Sequence, residues 1–289
     1  MIPAMHITAW ASFAPWAELA QIEQDLVISR ALIDLFNDEV LRGEMRFRGG
    51  TALNKLHFPQ PLRYSEDIDL VRTAHGPIGP ILDRMRTTLR WLGDASFEQS
   101  PIAPKLVYRI DPEHDGSALR LKIEINTRET ETFDRPYEIA LAVDNPWFSG
   151  CAQIPTFTPE EMLATKLRAL LQRDKGRDLL DVAHALSVLQ NLNTARIVEL
   201  FGKYLDRNEQ TITRAQAEQR MWSKMDRAGL ISDIRPLLSA DAAERLTDYE
   251  MRNAFTRVFT ELIALVPGSS WARTPEFAER FGILIGDRH

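Results

Sequence analysis

Apolar residues at Leu19, Ile22, Leu26, Ile33 and Phe36 recur at intervals of three and four, the spacing that lines one face of an α-helix. Ile28, Leu32 and Leu35 widen that face, and Ser29 is the polar interruption on it. The pattern predicts an amphipathic helix that begins near Pro15, a residue suited to a first helical turn, and runs to about Leu41. Residues 1–14 are apolar and aromatic, with Trp10 and Phe13, and read as an arm packed on the body. Met45–Arg48 is a brief strand, and Thr51–His57 a short helix stopped by Pro59 and Pro61. Glu66–Arg72 follows as a strand and Gly76–Pro80 as a loop. Ile81–Leu92 is predicted helical, with Leu82, Met85, Leu89 and Leu92 on one side.

The rhythm then changes to period two. Lys105–Ile110, Ala118–Asn126 and Tyr137–Val143 read as strands separated by turns at Asp111-Pro112 and Asp115-Gly116. In the middle strand Leu119, Leu121, Ile123 and Ile125 face one way, and Arg120, Lys122, Glu124 and Asn126 the other. Thr158-Pro159-Glu160-Glu161 combines an N-cap, a proline at the first helical position and a glutamate three residues after the cap, a strong helix start. Beyond it helices are predicted over about 159–173, 177–190, 194–205, 213–227 and 241–265, with a shorter one near 275–283. The shift near residue 157 divides the chain into a mixed α/β domain with an N-terminal helix, residues 1–157, and a helical domain, residues 158–289.

Composition narrows the class. With 289 residues, 44% of them hydrophobic and 26% charged, the chain can bury a sizeable core. Its formal charge of −6 argues against a globally basic duplex-binding surface but leaves room for a local basic groove. Cys151 has no partner for an intrachain disulfide, and the scattered histidines 6, 57, 75, 114, 184 and 289 lack zinc-like spacing. No secretory signal and no apolar run of ~18 residues is evident, so a cytoplasmic protein without membrane association is expected.

Two neighbouring stretches carry the chemistry. In Arg63-Tyr64-Ser65-Glu66-Asp67-Ile68-Asp69-Leu70, the strand period points Asp67 and Asp69 the same way. Paired carboxylates repel, and a divalent cation relieves that repulsion. Upstream, Phe47-Arg48-Gly49-Gly50-Thr51-Ala52-Leu53 places a glycine turn at a helix start, where backbone N–H groups can hold phosphate. Alone, Gly49, Gly50 and Thr51 would read as a tight strand-to-helix turn, and the aspartates as capping groups. Together they serve one ligand, a metal-bound triphosphate. Glu124 is a candidate third carboxylate. The third constellation is Lys166, Arg168, Arg173, Asp174, Lys175, Arg177, Asp178 and Asp181. It reads either as a solvated, salt-bridged helix pair or as a phosphate or RNA contact. Trp222 with Arg220, Lys224 and Arg227 reads as a bundle helix or, alternatively, an RNA-stacking patch.

Gly49-Gly50-Thr51 with Asp67-Ile68-Asp69, then Lys122-Ile123-Glu124-Ile125, then Lys166 … Arg173-Asp-Lys175-Gly-Arg177-Asp178-Leu-Leu-Asp181, together resemble the AbiEii/AbiGii (MenT-type) toxins of bacterial toxin–antitoxin and abortive-infection systems. The resemblance runs from about Leu19 to about Leu189. It implies an α+β fold, a DNA polymerase β-like nucleotidyltransferase core with a helical C-terminal domain. It implies metal-dependent transfer of nucleotides from NTP to RNA, for some members the 3′ acceptor end of tRNA, which blocks translation. Carried onto this chain, Asp67 and Asp69 would bind Mg²⁺ or Mn²⁺ with Glu124 as the third acidic position. Gly49, Gly50, Thr51, Ser65 and Arg173 would hold the nucleotide, and Lys166 its phosphates. Asp178 or Asp181 would supply the later acidic motif, both remaining open. A cognate antitoxin is the implied protein partner. The alternatives are nucleotidyl or phosphoryl transfer to a protein or small molecule, and a non-catalytic NTP-binding module.

Overall fold

Residues 2–100, 103–113, 118–226 and 231–284 are described in the computed structural model. The expected turn at Asp115-Gly116, together with His114, Arg227 and His289, lies outside them. The chain divides into two compact units, Met1–Thr158 and Pro159–His289. No helix among the described residues is long and apolar enough to cross a membrane.

The first unit opens with α1 (Ala4–Trp10), so the apolar arm is helical, packed on α2 (Leu19–Asn37) through the buried Ile7 and Trp10. The helix α2 starts at Leu19 rather than near Pro15. It stops at Asn37 rather than Leu41 because the Asp38 side chain accepts from the backbone N–H groups of Val40 and Leu41 and caps a new helix, α3 (Glu39–Glu44). Strand β1 (Met45–Arg48) leads into a short helix α4 (Gly49–Ala52), which continues as a π-helical turn over Leu53–His57. After β2 (Asp67–Arg72), α5 (Gly79–Thr88) ends before a 3₁₀ turn at Arg90–Leu92, shortening the helix expected to Leu92.

The remaining strands are β3 (Ser96–Glu98), β4 (Lys105–Ile110), β5 (Leu119–Asn126), β6 (Tyr137–Asn145) and β7 (Phe148–Thr156). Five form one sheet in the order β1-β2-β5-β4-β3, in which β2 and β5 run parallel and the other pairs antiparallel. The pair β6 and β7 forms a separate antiparallel ribbon against α2. Strand β7 was not expected from its residues, which include Gly150 and Pro155; pairing with β6 and burial of Ala152 and Ile154 supply what its propensity lacks. Phe47, Ile68, Leu121, Ile123 and Ile125 are fully buried, which fixes register. A slip of one residue would bury the charged side chains instead.

The second unit contains α6 (Pro159–Gln172), α7 (Gly176–Val188), α8 (Thr194–Asp206), α9 (Arg214–Met225), α10 (Ala240–Arg245), α11 (Asp248–Glu261) and α12 (Thr274–Phe281). The helix expected over 241–265 is two helices and a 3₁₀ turn, because Thr247 accepts from the Glu250 N–H and caps α11 anew. Trp222 is fully buried against Phe255, Phe259, Phe277 and Phe281, so it belongs to the core and offers no stacking patch to RNA.

Candidate active site

Strand register brings the acidic residues together. Asp67 pairs with Lys122 and Asp69 with Glu124 across the parallel β2–β5 ladder, so the two aspartates and Glu124 share one face of the sheet. On that face Lys122 is central. Its ammonium lies 2.9 Å from Asp67 Oδ2 and 3.7 Å from Glu124 Oε2, while Lys105 reaches Glu124 from β4 at 3.4 Å. Burial pulls the Lys122 pKa down, but the hydrogen bond to Asp67 and the charges of Asp67, Glu124 and Asp69 outweigh it and leave it raised.

The glycine turn is shaped around Asp69. Arg48 lies opposite Asp69 in the β1–β2 ladder, so the chain leaving β1 turns directly over that carboxylate. Gly49 has φ +88°, and a Cβ built on it would fall 2.2 Å from Asp69 Oδ2. Glycine is required there for its backbone conformation and for the close approach. A Cβ on Gly50 would meet Arg63 Nη2 at 2.4 Å, and Arg63 is buried with its Nη1 donating to the Tyr64 carbonyl. Thr51 is also buried; its hydroxyl donates to the Asp67 carbonyl and sits 2.8 Å from Ser65 Oγ. Thr51 and Ser65 therefore brace the turn against the start of β2. Asn54 adds a clip, donating to the Gly50 carbonyl and accepting from the N–H groups of Leu62 and Arg63.

Behind the turn lies a buried polar network that sequence reasoning missed. Asp25 on α2 accepts from the indoles of Trp10 and Trp16, and from Lys55 at 2.9 Å; Lys55 also donates to Ser29 at 2.8 Å. The polar interruption Ser29 thus ties α2 to the π-helical turn that follows Gly49–Thr51. Paired burial of Asp25 and Lys55 leaves no periodic signal, since each side chain breaks the apolar pattern of its own element.

Among the described residues no group of three or more His, Cys, Asp or Glu is arranged to hold a metal ion. Lys122 stands beside both Asp67 and Glu124 and Lys105 beside Glu124, while Asp67 and Asp69 are the two carboxylates that β2 itself carries on this face. Two carboxylates fit a Mg²⁺ that keeps its waters and shares the phosphates of a nucleotide, a common arrangement for that ion.

The second unit holds the rest of the expected site residues. Lys166 on α6 is buried, 2.7 Å from Asp181 Oδ2 and 3.4 Å from Asp178 Oδ1, both buried on α7. The spacing of three along α7 that makes them neighbours also aims both at one ammonium. Arg173 is exposed and more loosely held, with Nε 3.5 Å from Asp178 Oδ2. Arg168 lies over the Tyr204 ring.

The family model described as "Nucleotidyl transferase AbiEii toxin, Type IV TA system" matches residues 30–275. Among solved structures, MenT4, a nucleotidyltransferase toxin from Mycobacterium tuberculosis, is similar with a TM-score of 0.61 at 19% identity, over 96% of this chain and 94% of that one. JHP933 from Helicobacter pylori is similar with a TM-score of 0.53 at 15% identity, over 92% of this chain and 95% of that one. No curated protein sequence gives a significant match.

Proposed function

Because the chain belongs to the AbiEii nucleotidyl transferase toxin family of type IV toxin–antitoxin systems, we propose that it transfers a nucleotide from NTP to an RNA 3′ end, with the tRNA acceptor end as the target. The fold is an α+β nucleotidyltransferase fold with a helical C-terminal region. Family membership brings with it an NTP substrate and an antitoxin partner. The observation that carries the reading is the pairing of Asp67 and Asp69 on one strand face with Gly49 packed against the Asp69 carboxylate.

In this reading Asp67 and Asp69 hold Mg²⁺ or Mn²⁺. When bound, the ion lowers the pKa of the attacking hydroxyl and offsets charge on the departing pyrophosphate. Gly49, Gly50 and Thr51 present backbone N–H groups of the first helical turn, which have no partner within the helix, to the triphosphate. Thr51 and Ser65 keep that turn registered on Asp67. Lys122 offsets the negative charge that Asp67 and Glu124 add beside the triphosphate, and Glu124 acts through Lys105 and Lys122. Lys166 stabilises phosphate charge in the transition state, with Asp181 as its main positioning partner and Asp178 its second. Catalysis then rests on positioning and electrostatics. The setting is the cytoplasm, where tRNA and NTP are found together.

Sequencing RNA 3′ ends after brief expression tests the reading and reports base and target together. Untemplated nucleotides on tRNA 3′ ends are expected with the wild type and absent with Asp69→Ala. Unaltered RNA ends in growth-arrested cells would redirect the assignment to a protein or small-molecule acceptor.

A further inference from the structure

A cleft of about 880 Å³ opens in the helical unit between the end of α6, the segment 210–212 and α9. Its charged lining is Arg173, Arg220 and Lys224 against one carboxylate, Asp174, in a chain whose formal charge is −6. Lys224 is built into the wall: it is buried, donates to the Arg173 carbonyl and lies 3.4 Å from Asp174 Oδ1. That lysine and that aspartate offset one another, so the surplus charge of the cleft is carried by Arg173 and Arg220. Both are exposed. Arg220 commits Nη1 to the Leu171 carbonyl at 3.3 Å, which steadies the guanidinium at the rim, and Arg173 makes its long 3.5 Å contact with Asp178.

The rest of the lining is polar above an apolar floor of Leu171 and Ile212, and none of the described lining residues is aromatic. Amide and hydroxyl groups with two guanidinium forks suit phosphate oxygens and sugar hydroxyls, and the described lining offers bases no aromatic ring to stack on. The volume falls in the range of small-ligand sites, enough for a few backbone units of a strand.

We infer that this cleft binds the sugar–phosphate backbone of a single-stranded RNA, with Arg173 and Arg220 on its phosphates. The inference rests on the reading that RNA is the acceptor and adds where the strand is held. Arg173, expected from the sequence beside the nucleotide, here serves the RNA.

Phosphate neutralisation has a signature that a structural role lacks, a salt dependence set by the number of phosphates contacted. Two contacts to a single strand give a slope of about −1.4 in log affinity against log salt, or about 7-fold weaker binding at 200 mM than at 50 mM KCl. The test is fluorescence anisotropy of the full chain with a labelled single-stranded RNA oligonucleotide across that range. Arg173→Gln and Arg220→Gln should each reduce the slope by about 0.7, the double variant should nearly flatten it, and lysine at both positions should restore it. Thermal unfolding of the same variants checks that the helical unit stays folded.

An oligonucleotide that does not bind, or a double variant with the wild-type slope, overturns the inference. So does ATP that competes with the RNA and itself loses affinity in the double variant, since the cleft would then be a nucleotide site. Asp69→Asn separates this from the activity: it should bind RNA with the wild-type slope. Wild-type chain that binds RNA with the expected slope yet adds no nucleotide defeats the proposed activity alone. Nucleotide addition with a slope indifferent to both arginines defeats the cleft alone.

Discussion

At the scale of single residues, Gly49 and Asp69 are one feature. Adding a methyl group at Gly49 places a carbon 2.2 Å from a carboxylate oxygen and forces a side chain into a backbone with φ +88°. Gly49→Ala is therefore expected to cost ~1–2 kcal/mol in stability from the backbone alone. It should also cost ~100-fold or more in activity, because the displaced carboxylate no longer holds its ligand in place. Gly43→Ala, in a helix with open space around the added carbon, is the control and should leave both unchanged or raise stability. Urea unfolding and an NTP turnover assay on the two variants measure this. The glycine turn and the two aspartates were legible because strand period and turn chemistry act locally. That Lys122 occupies the same face was legible too, but its contact with Asp67 was not: the parallel β2–β5 register joins residues far apart in sequence.

At the scale of elements, α6 and α7 are joined by a buried cation between two buried carboxylates. Lys166→Met would leave Asp178 and Asp181 buried without it, and a loss of 3–5 kcal/mol is expected, on the order found when one partner of a buried pair is removed. Replacing Asp178 and Asp181 by Asn in the same chain should recover much of that loss while activity stays absent, which separates stability from chemistry. The sequence placed Lys166 on one helix and both aspartates on one side of the next but could not choose between the aspartates, since their spacing allows either. The shorter contact belongs to Asp181.

The π-helical turn after the glycines offers a pH test. His57 at its end has a buried Nε2 that meets no hydrogen-bond partner among the described residues, and burial lowers its pKa to about 4. The unfolded chain takes up the proton at its ordinary value and the folded chain does not, so stability falls as pH drops from about 6.5 toward 4. Comparing urea midpoints at pH 7 and pH 5 should show a loss larger by roughly 2 kcal/mol in the wild type than in His57→Gln. Equal losses would mean that His57 takes up its proton in the folded chain as readily as in the unfolded one. Element boundaries were the least legible feature, because contacts beyond the local apolar pattern set several of them. Asp38 and Thr247 restart helices through side-chain caps inside continuous apolar patterns, while β7 exists through its partner strand rather than its own residues.

At the scale of the whole molecule, the two compact units divide the chemistry as they divide the chain. The first carries the aspartate pair and its glycine turn, the second the Lys166 cluster and the arginine-lined cleft. The reaction class was legible because the carboxylates, the glycines and the lysine keep a recognisable order. The proposed acceptor has no such local signal: the arginine-lined cleft is assembled from α6, the segment 210–212 and α9, whose sequence reads as an ordinary amphipathic bundle. The central claim is tested most directly by incubating the purified chain, Mg²⁺ and total tRNA with NTP labelled on either the α- or the γ-phosphate. Nucleotidyl transfer predicts label in RNA from the α-phosphate alone, and none in Asp67→Ala or Asp69→Ala; label from the γ-phosphate, or α-label that survives both substitutions, would contradict it.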